Sequence, residues 1–285
     1  MIPRQKRKLM SKADDRVILY AGLFLVCALL AAPVQAATQR VEGLSFDRVL
    51  VFGGVDVEIS QGDRNELKMR GDEEELDLKP FLLDGETLVL GRSAGAPGRG
   101  FSDVKYKLQL ESIEELGVSG SAEVYVKELN LPRLSVELEG SGEIRMFGFE
   151  GESLSVLVRG SGDVQIAKLV AQDFEAALSG SGDLEIGPLA AEMGTVTVSG
   201  SGEVESQGEG RVAALQLRIM GSGDIEFKDV AVETAEIVIM GSGDAEIGPV
   251  EVLEATIVGS GSVFYRGDAD VTRNIVGSGS VEQAR

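Results

Sequence analysis

The chain has 285 residues, of which 47 are acidic, 27 are basic and none is histidine, so its formal net charge is -20. This charge disfavours nucleic acid and anionic lipid as partners, because both bind through clustered lysine and arginine. Hydrophobic residues make up 43% of the sequence, enough for a packed core, which argues against disorder throughout the chain.

A signal peptide for export is predicted over residues 1–36. A basic start precedes the apolar run Val17–Ala32, which is shorter than the ~20 residues that a membrane-spanning helix needs. Val34–Ala36 then supplies the small residues that a signal peptidase recognises. Cleavage there would remove Cys27, the single cysteine, so the mature chain would have no disulfide and no membrane span.

Residues 37–116 are predicted to form an irregular β segment. Apolar and polar residues alternate in runs such as Val55–Ile59 and Val104–Leu110, with the period of a β-strand. Asp84–Gly85 lies between two such runs and predicts a hairpin. The glycine-rich stretch Gly91–Gly100 is predicted to be an exposed loop. We expect this segment to cap the repeats that follow, because the end of a repeat array otherwise exposes core and strand edges.

A repeat occupies residues 117–285. Gly-Ser-Gly, or a close variant of it, recurs every 18–21 residues. The motif begins at Gly120, Gly140, Gly160, Gly180, Gly200, Gly221, Gly241, Gly259 and Gly277. The positions two before and four after the first glycine are aliphatic in every repeat, and the alternation continues outward on both sides. Each repeat is therefore predicted to contain a strand, a glycine turn, a short strand and a looser connection.

A repeat this short cannot bury its own apolar face, so the repeats must stack on one another. The predicted fold class is all-β: a right-handed parallel β-helix of about nine coils, continuous with the segment before it. A β-prism or propeller is the alternative, although a propeller blade needs about twice this repeat length. The glycines are interpreted as structural turns, since a phosphate-binding loop would be followed by a helix and not by a strand.

One column of the repeat carries charge. The residue after each motif is Glu123, Glu143, Asp163, Asp183, Glu203, Asp224 and Asp244, and then Ser262 and Ser280. Stacked ~5 Å apart in water, two such charges repel by about 0.8 kcal/mol. The carboxylates are interpreted as a solvated face that accepts hydrogen bonds from turn N–H groups. An interaction surface or a calcium ladder is the alternative, because calcium binds several carboxylate and carbonyl oxygens. No other cofactor is predicted.

The pattern of Phe46–Val49 and Val55–Ile59, followed by repeated Gly-Ser-Gly-Asp coils, resembles the bacterial family called "putative auto-transporter adhesin, head GIN domain". The resemblance covers nearly all of the predicted mature chain. It implies a β-helical exported protein, periplasmic or on the cell surface, with a role in surface interaction. It brings no catalytic motif.

Without histidine or a mature cysteine, the chain lacks the residues for Ser-His or Cys-His catalysis and for histidine-based zinc sites. We therefore expect a non-catalytic envelope protein that presents an adhesin-like interaction surface to an envelope or surface partner. Two alternatives stay open. One is a self-associating scaffold of the envelope, and the other is a polysaccharide-acting enzyme that uses carboxylates.

The C-terminal coil is a predicted contact between two copies. No polar cap is predicted after the motif Gly277–Gly279, and serines replace carboxylates in the last two coils. An exposed coil end presents unpaired backbone and apolar core. We therefore expect an end-to-end homodimer through this coil, closed by two-fold symmetry.

Overall fold

The computed structural model describes residues 36–284. The predicted signal peptide lies outside the described residues, apart from its last position. Within the described part, no helix combines the length and the hydrophobicity needed to cross a bilayer.

The N-terminal part comprises seven strands and one short helix. Its elements are β1 (Ala37–Glu42), β2 (Arg48–Gly53), β3 (Asp56–Gln61), β4 (Glu66–Gly71), α1 (Glu73–Asp77), β5 (Phe81–Asp84), β6 (Thr87–Leu90) and β7 (Lys105–Leu110). β4 lies antiparallel between β1 and β7, and β5 and β6 form the hairpin predicted at Asp84–Gly85. β2 and β3 pair in parallel with the first strands of the repeat array.

The repeat array consists entirely of strands. These are β8 (Glu115–Gly120), β9 (Glu123–Val126), β10 (Leu129–Asn130), β11 (Arg133–Gly140), β12 (Glu143–Met146), β13 (Phe149–Glu150), β14 (Ser153–Gly160), β15 (Asp163–Ile166), β16 (Leu169–Val170), β17 (Asp173–Gly180), β18 (Leu184–Ile186), β19 (Leu189–Gly200), β20 (Glu203–Ser206), β21 (Gly210–Gly221), β22 (Asp224–Phe227), β23 (Val230–Gly241), β24 (Ala245–Gly259), β25 (Ser262–Arg266), β26 (Asp270–Gly277) and β27 (Ser280–Gln283). Successive coils pair in parallel with matching repeat positions, as in Leu138 with Val158 and Gly140 with Gly160.

The long and the short strands of the repeats form two faces of the solenoid. The long-strand face contains the strands that end at a turn glycine, and the short-strand face contains the strands that begin just after it. The two aliphatic columns of the sequence point inward from these faces. They are buried from Val118 to Ile257 and from Val124 to Val281, within one continuous hydrophobic cluster. Burying each such side chain contributes about 1.5–3 kcal/mol before the entropy of ordering is subtracted. The predicted all-β solenoid is confirmed.

The turn requires glycine for two reasons. Gly180 has a φ of +132°, a backbone conformation that other residues rarely adopt. A Cβ at Gly180 would also lie only 2.1 Å from the carbonyl oxygen of Gly160 in the preceding coil. The backbones approach this closely because Ser181 N donates a hydrogen bond to the same oxygen, at 2.9 Å. Each turn is therefore bonded to the turn of the preceding coil.

The N-terminal segment contributes a coil of its own. Gly53 pairs in register with Gly120 and has a φ of +89°, like the turn glycines of the repeat. Its motif is Gly-Gly-Val, which a search for Gly-Ser-Gly does not find. Between β3 and β8 the chain makes an excursion that contains α1 and the hairpin, and then returns to the solenoid with β8 in register with β2.

Candidate functional site

The predicted acidic residues line the outer side of the short-strand face. Asp56, Glu123, Glu143 and Asp163 stand in register in successive coils, and Glu203 pairs with Asp224 further along. Asp183 and Asp244 directly precede strands β18 and β24 and are exposed. Asp56 extends this acidic column by one coil at the N-terminal side. Sequence reasoning missed it because its turn lacks the repeat motif.

Four aspartates of the acidic column accept hydrogen bonds from the next coil, whereas Asp56 forms an ion pair with Lys105 and Glu123 N bonds to Val55 O. An Oδ1 atom of Asp163 accepts from Asp183 N at 3.1 Å, and Oδ1 of Asp183 accepts from Glu203 N at 3.0 Å. Asp224 and Asp244 repeat this arrangement, at 2.7 Å and 2.6 Å. Where the column residue is glutamate, the next N–H bonds to a backbone carbonyl instead, as Asp163 N does to Gly142 O. Four of the seven predicted carboxylates thus bond a backbone N–H group beside the next turn, and the three glutamates do not.

A second column of carboxylates lies beside the first. Glu185, Glu205, Glu226 and Glu246 stand in register on the same outer surface. Lys228 Nζ lies 3.3 Å from a carboxylate oxygen of Glu226 and neutralises part of this charge. The hydrogen bond with Glu226 is also the main reason why the pKa of Lys228 is raised.

The environment of Glu203 raises the pKa of its carboxyl. Desolvation raises the pKa of its carboxyl above the usual value of 4.5, and the charges of Glu226 and Asp183 raise it further. The carboxylates nevertheless do not converge. Within residues 36–284, no group of three or more acidic residues is arranged to hold a metal ion. Calcium takes about six to eight oxygen ligands. The calcium ladder therefore stays a hypothesis that a metal titration tests.

A groove opens on the short-strand face beside an exposed aromatic ring. Phe147 is 58% exposed, and the hollow next to it has a volume of about 380 Å³. We call this hollow the Phe147 groove. Its lining residues are Arg145, Met146, Phe147, Gln165, Ile166, Ala167, Glu185, Ile186, Gly187, Pro188 and Gln207. It spans four successive coils and combines an apolar floor with a polar rim.

The position of Phe147 follows from the end of β12. Met146 is the last inward residue of this strand and is buried, so the next side chain points outward. Phe147 N donates to Val126 O at 2.9 Å, and Ala167 N and Gly187 N make the equivalent bonds in the next two coils. The column thus places a large ring beside two of the smallest residues, and this difference in size opens the groove. Sequence analysis missed it, although a phenylalanine at an outward position was the available signal.

The glycine-rich loop Gly91–Gly100 borders another hollow, of about 450 Å³, on the N-terminal part. The guanidinium of Arg92 lies 4.0 Å from the centre of the Phe52 ring and covers it. Arg99 forms an ion pair with Glu75 at 3.2 Å. Both arginines already have intramolecular partners, so this hollow carries less free binding capacity than the Phe147 groove.

The family profile described as "Putative auto-transporter adhesin, head GIN domain" matches residues 45–207 and, overlapping them, residues 158–269. The chain belongs to this family. The two matched ranges together include both the acidic column and the Phe147 groove of this head GIN protein. The resemblance drawn from the sequence is confirmed. A comparison with curated protein sequences gave no match.

Solved structures share the fold of the head GIN protein. A putative adhesin from Parabacteroides merdae has a TM-score of 0.66 at 22% identity, over 89% of this chain and 98% of the other. A putative lipid binding protein from Parabacteroides distasonis has a TM-score of 0.63 at 23% identity, over 88% and 97%. A putative adhesin from the same species has a TM-score of 0.61 at 21% identity, over 88% and 98%. At these identities, the likeness shows the solenoid fold alone.

Proposed function

We propose that this head GIN protein is exported to the cell envelope and acts there as a non-catalytic, adhesin-like binding module. The observation that supports the proposal is the contrast between the inside and the outside of the solenoid. The inward columns are aliphatic and nearly uniform, whereas the outward column of Phe147, Ala167 and Gly187 changes from coil to coil and opens the Phe147 groove. A regular scaffold with a locally varied surface suits binding, and the family description as an adhesin agrees with it.

The composition of the Phe147 groove supports a non-catalytic role. Glycoside hydrolases in general use a pair of carboxyl groups across the scissile bond. Among the residues that line the groove, Glu185 is the single carboxylate. Arg145 is engaged by Glu143 at 2.5 Å and by the hydroxyl of Tyr125 at 2.9 Å. The groove thus offers contacts for a ligand without an acid–base pair.

Surface binding and export are both measurable. The exported chain, coated on a surface, should retain whole bacterial or host cells in a saturable way that soluble protein competes away. A globular protein of similar negative charge serves as the control. Mass spectrometry of the native protein should find an N-terminus near Ala37. Saturable retention of no cell type would contradict the binding role, and a mature chain that still begins at Met1 would contradict signal cleavage.

Self-association is the second candidate function, and one surface favours it. Within residues 36–284, β26 pairs with β24 alone and β27 pairs with β25 alone, so each has a free edge. Beside this end, four apolar side chains stand in one exposed column of the long-strand face: Met220, Met240, Val258 and Val276. A free strand edge beside apolar side chains favours contact with a second copy.

Light scattering tests this end-to-end contact. The mass of the wild-type protein should double with concentration. Lysine at the exposed positions Thr272 and Asn274 of β26 should keep the chain monomeric, because edge lysines oppose strand pairing. Lysine at the exposed Ser179, in the middle of the array, is the control. A wild type that stays monomeric at high concentration would contradict the contact.

A further inference from the structure

We propose that the Phe147 groove binds a neutral sugar unit of a glycan. The inference rests on the proposed function as a binding module and names the ligand class of that site. Its first support is the ring of Phe147, which is 58% exposed although Met146 beside it is buried. An apolar ring left in water gains free energy when a ligand covers it. The face of a sugar ring, which carries C–H groups, is a flat apolar surface of matching size.

The dimensions of the groove favour a small unit over a protein surface. Its volume of about 380 Å³ lies at the lower end of the usual range for small-molecule sites, ~300–1,000 Å³. A stable protein partner would instead cover about 800 Å² of each surface. The recess cannot be filled by a side chain at Gly187, because a Cβ there would lie 2.1 Å from Ala167 O. Coil stacking therefore keeps the floor of the groove open.

The rim of the groove offers both donors and acceptors. Its polar side chains are Arg145, Gln165, Glu185 and Gln207. Within the part of the chain that the structure describes, the side chains of Gln165 and Glu185 form no hydrogen bond or ion pair with the protein. An amide both donates and accepts, and a carboxylate accepts, which suits sugar hydroxyls because they also do both.

Charge at the groove disfavours an anionic ligand. Arg145 is already paired with Glu143 at 2.5 Å, so Glu185 is the one charged side chain of the lining without an ion pair in the described residues. The second carboxylate column continues beyond the groove through Glu205 and Glu226, and it repels an anionic ligand. An acyl chain is disfavoured because the groove is open along its length and rimmed by polar groups, whereas an apolar chain needs an enclosed apolar site.

The test offers the full exported chain neutral oligosaccharides, acidic oligosaccharides and neutral phospholipid vesicles, followed by calorimetric titration of the hits. Three variants are compared with the wild type: Phe147→Ala removes the ring, Ala167→Met fills the floor, and Leu83→Ala removes an apolar side chain that is 44% exposed on the N-terminal hairpin. Wild type and Leu83→Ala should bind a neutral oligosaccharide equally. Phe147→Ala should weaken binding roughly fivefold to tenfold, and Ala167→Met should abolish it. Circular dichroism checks that all variants are folded.

Three results would overturn the sugar site. The first is no binding of the wild type to any neutral oligosaccharide, and the second is binding that Phe147→Ala and Ala167→Met leave unchanged. The third is binding to acidic oligosaccharides or to neutral phospholipid vesicles alone. The cell-retention assay, run on the same variants, separates the two proposals. Cell retention without binding of the wild type to any neutral oligosaccharide removes the sugar site and keeps the binding module, whereas sugar binding without cell retention does the reverse.

Discussion

Replacing one turn glycine tests how the coils are held together. The change Gly180→Ala adds a single methyl group at a φ of +132° and places it 2.1 Å from Gly160 O. The unusual backbone conformation costs about 1–3 kcal/mol for a residue with a Cβ. The methyl group also forces the two coils apart, which weakens the hydrogen bond from Ser181 N to Gly160 O, worth about 1 kcal/mol.

Together these effects predict a loss of about 2–4 kcal/mol in the free energy of unfolding. A domain of this size loses about 2–4 °C in Tm for each kcal/mol, so the melting temperature should fall by roughly 4–16 °C. Thermal unfolding followed by circular dichroism measures the change. The wild type should have the highest Tm, the surface control Ser181→Ala a nearly equal one, and Gly180→Ala the lowest.

Two matched controls separate the causes. Gly98 has a φ of +82°, but no atom lies within 4 Å of the Cβ position, so Gly98→Ala tests backbone conformation without the close approach. Ser181 is exposed beside the turn, and Ser181→Ala should leave Tm nearly unchanged. If Gly180→Ala melts at the temperature of Gly98→Ala, the close approach of successive coils contributes nothing to stability, and the reasoning is refuted.

Three further predictions concern single side chains. Because desolvation and neighbouring charges raise the pKa of Glu203 in the folded state, Glu203→Gln should raise Tm at pH 7, and the gain should vanish as the pH falls below the usual value of 4.5; a gain independent of pH would contradict this. Asp183→Ala should lower the free energy of unfolding by about 1 kcal/mol because Glu203 N loses its acceptor, whereas Asp183→Asn keeps it; urea titrations showing equal stabilities would contradict that role. Tyr106→Phe should cost about 1–3 kcal/mol, since the buried hydroxyl donates to Pro80 O at 2.8 Å. Burial raises the pKa of Tyr106, so wild type should lose stability as the pH rises above 10, and Tyr106→Phe should lose less.

The fold was predictable because its rules repeat. Each inward aliphatic position recurs in every coil, so the pattern that places Val158 inward is tested again at Leu178 and at Val198. The coil that contains Gly53 escaped the motif search, because the backbone of that turn needs glycine but not the serine that marks the others. The repeated motif therefore predicted the array, and pairing in space was needed to reveal its first coil.

The candidate site was less predictable for a physical reason. Outward side chains are not constrained by the core, so no periodicity predicts their partners. The acidic column was visible in the sequence, but the exchange of a backbone acceptor for a carboxylate at Asp163 required coordinates. The Phe147 groove depends on which residues the parallel register brings beside the ring, namely Ala167 and Gly187. If the strands paired one residue out of this register, Ala167 and Gly187 would not lie beside the ring, and the groove would be absent.

The parallel register has a consequence for how such a protein can change in evolution. An in-frame duplication of residues 222–241, beyond the groove, would insert one more coil between two others that already match it, and would lengthen the solenoid by ~4.8 Å. The new coil would satisfy both neighbours, because every inward position and turn glycine recurs. The distance between the Phe147 groove and the C-terminal edge would then grow by one step, with neither surface altered. Gene duplication can thus set the reach of the molecule independently of what it binds.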